Sequence, residues 1–105
     1  MVRRGGVYYL EHPELGRRPV LVLTRDAAIP VLKRVIIASI SRTVRGIPTE
    51  VQLDKEDGMP VPCAVSLDNL GDAWKAMLTE QITTLRPDKM RQVCDALSIA
   101  TGCGP

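Results

Sequence analysis

The sequence predicts a mainly β domain: a small barrel or strongly bent sheet of five to seven short strands, closed by one C-terminal helix. Three observations carry this. Apolar residues come in short runs rich in Val, Ile and Leu, bounded by Pro, Gly and Asp, and β-branched side chains fit a pleated surface. One segment alone, near the C-terminus, has helical spacing. No long helical stretch separates consecutive strands, which argues against a parallel α/β sheet. With 105 residues and no repeat, low-complexity tract or linker, residues 1–105 read as a single domain, with 102–105 as a tail.

Residues 6–10 (GVYYL) form a first strand. Residues 11–17 follow as a polar loop punctuated by Pro13 and Gly16. Residues 19–23 (PVLVL) are continuously apolar, as in a strand covered on both faces. Pro19 suits the first position, where its missing N–H costs least. Residues 35–41 (VIIASIS) form a third strand. Alternation puts Ile36, Ala38 and Ile40 on one face, and Ser39 and Ser41 on the other, which turns polar toward Arg42 and Arg45. Residues 48–53 alternate cleanly, as in a half-exposed strand, and 54–58 make a turn. Further strands fall at 64–67 and 79–85, with one helical turn between 72 and 77. The helix spans 87–101, with Pro87 at its first position and Gly102 at its C-cap. Its apolar stripe is Met90, Val93, Cys94 and Leu97, at i, i+3, i+4 and i+7.

Composition narrows the class. The chain is 45% hydrophobic and 25% charged, as in soluble globular proteins. Phe is absent, so the core is aliphatic. Residues 1–45 carry nine Arg or Lys against three acids, a net of +6; residues 46–105 carry five against nine, a net of −4. Arg dominates the basic half, and its fork matches phosphate. Such asymmetry suggests a polyanion or an acidic partner, although a solvated basic face has the same signature. The three cysteines, Cys63, Cys94 and Cys103, form no Cys-x-x-Cys or Cys/His cluster, which argues against a disulfide framework or zinc site. Cys94 is expected to pack as a small hydrophobe. Unpaired cysteines fit a reducing cytoplasm. The N-terminus lacks the apolar core of a signal peptide, and no run is long enough to span a membrane.

Few residues suggest chemistry by themselves. His12 is the single histidine, so two imidazoles cannot act within one subunit. Glu11 and Glu14 form no paired-carboxylate motif. Gly5-Gly6 precedes a strand, unlike a dinucleotide-binding turn. Arg18 stands just before an apolar strand and Ser41 at the end of another. An arginine can neutralise a phosphate and a hydroxyl can donate to its oxygen. Taken alone, the pair is indistinguishable from ordinary strand-end residues.

Several segments together resemble the MazF/PemK toxins. RGGVY (residues 4–8) resembles that family's opening strand. RRPVLVLTRD (17–26) resembles its most recognisable segment. IASISRTVRG (37–46) is similar to its third strand and following loop, PTEV (48–51) to the next strand, and LDNL (67–70) to a later strand end. The five occur in the family's order, and the likeness runs from about residue 3 to 97.

The resemblance implies a dimeric SH3-like barrel with a C-terminal helix. It implies metal-independent cleavage of single-stranded RNA without a cofactor, through attack of a 2′-hydroxyl that leaves 2′,3′-cyclic phosphate and 5′-hydroxyl ends. A cognate antitoxin would block the groove. Arg18 matches the catalytic arginine, and Ser41 takes a position usually held by a catalytic threonine. The RNA groove would fall among the basic residues of the first half, Arg4 and Arg17 included. Arg42, Thr43 and Arg45 would follow the phosphate backbone, with Arg25 and Tyr9 as further phosphate or base contacts. The alternative is a non-catalytic SH3-like module that binds RNA or protein without cutting. No helix-turn-helix pattern suggests DNA binding by the isolated chain.

Overall fold

The computed structural model describes residues 1–103. Six strands and one α-helix follow in order, with short 3-10 turns at Lys55–Asp57 and Lys75–Met77: β1 (Gly6–His12), β2 (Gly16–Val22), β3 (Arg34–Ser41), β4 (Glu50–Leu53), β5 (Cys63–Trp74), β6 (Leu78–Thr84) and α1 (Pro87–Thr101). They form one antiparallel sheet in the order β4-β5-β3-β2-β1-β6, with α1 packed on β5 and β4. This is the expected small barrel with a C-terminal helix.

Three elements differ from expectation, and one is β2, which begins at Gly16, so Pro19 is an interior strand residue and not the first. The loop foreseen at 11–17 is a tight hairpin in which His12 pairs with Gly16. The His12 Nδ1 accepts the amide hydrogens of Glu14 and Leu15, at 3.1 Å each, and Gly16 takes φ +79° at the turn. The Nδ1 of the imidazole thus holds the hairpin turn. The strand foreseen at 64–67 runs on to Trp74. Its second half is exposed from Asp68 to Asp72, so no apolar alternation marked it.

The sheet curls because its longest strand bends. β5 pairs with β3 through Ala38↔Leu70 and then Ser39↔Ser66, so residues 67–69 bulge out of the ladder. Bulges bend a strand and raise its twist. The DN pair at 68–69 sits at this bulge, mid-strand and not at a strand end. The curl encloses one core of Val7, Leu21, Ala38, Ile40, Val65 and Leu67, capped by Val93 and Ala96 of α1. A second cluster on the outer face holds Tyr8, Val20, Val22, Val35 and Ile37, covered by Ile29 of the β2–β3 connection. Val20, Leu21 and Val22 are all 0% exposed, as a strand covered on both faces requires. Ile36, by contrast, lies exposed at the far end of β3.

The helix follows its predicted bounds, with Gly102 at φ +69° donating its N–H to the Ser98 carbonyl. Residue 102 is thus a cap; of the expected tail, residues 104 and 105 lie outside the described residues. The buried stripe centres on Val93 and Ala96, flanked by Met90, Leu97 and Ala100. Cys94 is exposed, against expectation. It sits about 100° around the helix from Val93, and the sheet claims the Val93–Ala96–Ala100 side. Burying Val93 contributes about 1.5–3 kcal/mol.

One glycine shapes the groove described next. Gly58 takes φ +94°, and a Cβ there would fall 2.2 Å from the Thr83 Oγ1. It closes the turn that directs Met59, Pro60 and Val61 across the end of the sheet.

Candidate functional site at one end of the barrel

The antiparallel ladders sort the basic residues to two ends of the sheet. At one end Arg18 pairs with Leu10 and Arg17 with Glu11. The β2–β3 ladder runs from Val22↔Ile37 to Val20↔Ser39. The ladder ends there, and Arg18 of β2 and Ser41 of β3 lie two residues beyond it, at the same end of the sheet. Arg18 and Ser41 are both exposed, and among the described residues no carboxylate pairs with Arg18. Alternation sends Arg18 to the face of Leu10 and Arg17 to that of Tyr9, so the two arginines flank the strand end from opposite faces.

Ser41 has one defined partner. Its Oγ accepts the Thr43 amide hydrogen at 3.0 Å. A hydroxyl has one proton and two lone pairs, so Ser41 can still donate that proton outward. Beside it opens a groove of about 370 Å³ lined by Tyr9, Arg17, Pro19, Ser41, Arg42 and the wall of Met59, Pro60 and Val61. Arg42 is exposed and forms no ion pair among the described residues, which leaves its charge for a ligand.

The floor of the groove includes Cys63. Burial pushes its thiol pKa up, and the nearby Asp57 and Asp54 carboxylates push it further. A thiol so held stays protonated and is a poor nucleophile. Among the described residues no cluster of three or more His, Cys, Asp or Glu is arranged to hold a metal ion.

Several other basic residues of the first half are engaged internally. Arg17 lies 3.8 Å over the Tyr9 ring, bonded to Glu80 and 3.5 Å from Glu11. Arg45 donates its backbone N–H to the Glu50 carboxylate at 2.9 Å and its Nε–H at 3.3 Å, and Gly46 adds an amide at 3.1 Å. Glu50, 3% exposed at its side chain, thereby anchors the loop that carries Arg42 and Thr43. Arg4 sits at the opposite end of the sheet, where its guanidinium donates to the Leu23 carbonyl and to the Cys94 Sγ at 3.3 Å. Arg25 lies at that end as well, beside Leu32 and Ile36. The structure therefore brings Tyr9, Arg17, Arg18, Ser41, Arg42 and Thr43 to one end, and leaves Arg4 and Arg25 at the other.

Sequence reasoning missed the Met59-Pro60-Val61 wall, the Glu80 clamp and the Glu50 anchor. The wall and the clamp carry no local signal. Glu50 had one, since an acid at the start of an alternating strand after a basic loop is placed to hold that loop.

Comparison with known proteins adds to this geometry. Residues 3–101 match the model of the PemK-like, MazF-like toxins of type II toxin–antitoxin systems. The chain belongs to the MazF/PemK family. A relative described as a probable endoribonuclease, MazF5 of Mycobacterium tuberculosis, is 43% identical over 101 residues, covering 95% of this chain and 93% of its own. Among solved structures, the Mycobacterium tuberculosis toxin MazF-mt6 superposes with a TM-score of 0.84 at 33% identity, over 92% of this chain and 96% of that one. A mycobacterial endoribonuclease in complex with its cognate antitoxin superposes with a TM-score of 0.90 at 26% identity, over 100% and 99%. The MazF/PemK fold is thus matched along almost all of the chain. No helix among the described residues is long and apolar enough to cross a membrane.

Proposed function

We propose that this chain is the toxin of a type II toxin–antitoxin system and cuts single-stranded RNA without a metal or cofactor. The observation that carries this is the sheet end shared by Arg18, which pairs with no carboxylate among the described residues, and Ser41, beside which a groove opens. In the reaction the 2′-oxygen bonds to phosphorus as the bond to the 5′-oxygen breaks. The ends are a 2′,3′-cyclic phosphate and a 5′-hydroxyl, and the proton lost by the 2′-oxygen is balanced by one gained at the 5′-oxygen. Arg18 stabilises the charge that builds on the non-bridging oxygens, and the Ser41 hydroxyl donates to one of them. Arg42 and Thr43 hold the adjoining phosphates.

The chain acts as a homodimer in the cytoplasm, held inactive by its cognate antitoxin. Three unpaired cysteines suit that compartment. The mixed lining of the groove, arginine beside Pro, Met and Val, suits an antitoxin segment with both acidic and apolar residues.

The test is incubation of a long single-stranded RNA with the protein in EDTA, wild type beside Arg18→Ala, with mapping of new ends. Discrete cuts with 5′-hydroxyl ends, absent in the variant, are expected. Stable RNA binding without cuts by a folded wild type would favour the binding-module alternative. Cuts by Arg18→Ala at the wild-type rate would remove Arg18 from its role.

A further inference from the structure

One feature of the groove is unsuited to phosphate. The guanidinium of Arg17 lies against the Tyr9 ring, with Cζ 3.8 Å from its centroid. Glu80 of β6 bonds one terminal nitrogen, and Glu11 of β1 stands 3.5 Å from Nε. Three strands thus hold one planar group in place. Two carboxylates around one guanidinium leave the cluster one unit negative, which repels a phosphate. What remains is geometric. Tyr9 takes one face of the guanidinium, Arg17 lines the groove, and a guanidinium's second face is a flat and weakly hydrated surface.

Unstacked bases of single-stranded RNA stack on aromatic rings and on arginine planes. The surroundings suit one. Pro19, Met59, Pro60 and Val61 supply apolar walls, and the groove of about 370 Å³ admits a base. Its rim is Ser41 and Arg42, so a base held there lies next to the phosphate at Ser41.

We propose that Arg17, backed by Tyr9 and held in plane by Glu80 and Glu11, is a stacking platform for one unpaired nucleobase of the RNA, on a nucleotide adjoining the cut. This rests on the ribonuclease proposal. Arg17 touches substrate; Tyr9, Glu80 and Glu11 are positioning residues.

The test uses the full chain and an RNA oligonucleotide containing a mapped cut, with a 2′-deoxy sugar at that cut to prevent cleavage. Binding is measured for wild type and Arg17→Lys on the intact oligonucleotide and on versions abasic at each position in turn. One abasic position is expected to weaken wild-type binding about tenfold or more, the scale of one lost base stack. Arg17→Lys keeps the charge and loses the plane. It should lose a similar factor on the intact RNA and little more on that abasic version. The salt dependence of binding should be unchanged in Arg17→Ala. A slope reduced by about 0.7, the mark of one lost phosphate contact on a single strand, would overturn the proposal. So would additive losses in Arg17→Lys at every abasic position. If wild type cuts the unmodified RNA in parallel, such a failure concerns the platform alone. A folded wild type that neither cuts nor binds overturns both readings.

Discussion

The two ends of the sheet each carry several arginines and use them differently. At one end stand Arg17, Arg18 and Arg42; at the other, Arg4, Arg25 and Arg34. Arg4 is tied to the Leu23 carbonyl and to Cys94, and Arg34 to Asp72 at 2.9 Å and to the Trp74 ring. Arg25 is exposed and forms no ion pair among the described residues. At the first end Arg18 and Arg42 have no carboxylate partner among the described residues, and Arg42 lines a groove with Ser41. A basic half of the sequence is therefore not a basic binding face. What matters is which guanidinium lacks an internal partner and what stands next to it.

The sharpest break between the ends should come from removing one unpaired arginine from each. Arg18→Ala is expected to lower the cleavage rate by about 10²–10³, the usual effect of deleting one donor to transition-state charge, whereas Arg25→Ala should cut at the wild-type rate. Equal losses in single-turnover assays would erase the distinction. Ser41→Ala should cost less, about ten- to a hundredfold, as for a hydrogen bond to a charged group, and Ser41→Thr should restore the rate. If Ser41→Ala is silent, the hydroxyl has no role in the reaction.

Smaller effects separate binding from stability. Arg42→Ala should reduce the salt slope of RNA binding by about 0.7, one phosphate contact on a single strand; an unchanged slope would place Arg42 off the RNA path. Arg4→Ala should do the opposite of Arg18→Ala. It should cost about 1–3 kcal/mol in urea unfolding, because the Leu23 carbonyl loses its donor, and leave cleavage by the folded fraction unaltered. The gentlest probe is thiol alkylation near pH 8. Cys94 and Cys103 should react in the native state. Cys63, buried and pushed toward the protonated form, should react only on unfolding; rapid native labelling of Cys63 would mean that the groove floor opens.

Much of this was legible beforehand where the signal is local. The helix at 87–101 was marked by Pro87 and Gly102, and the doubly covered strand by the unbroken run from Val20 to Val22. Ser39 and Ser41 fell on one face because strand alternation allows nothing else. Signals failed where the neighbours are distant in sequence. Cys94 fits the apolar spacing of the helix, yet the sheet takes the adjacent side. The second half of β5 is a strand with exposed side chains, so its hydrogen bonds, invisible to periodicity, define it. Glu80 meets Arg17 across 63 residues, and nothing near either residue announces the contact.

The sequence by itself determined the inventory: a set of five to seven strands and a helix, an aliphatic core, a basic first half, and five segments in MazF/PemK order. These follow from side-chain periodicity and backbone chemistry within a few residues. The tertiary structure decided which charges are free. A guanidinium becomes a functional group or a structural tie according to the carboxylates and carbonyls that the curled sheet brings to it, and those come from strands far along the chain.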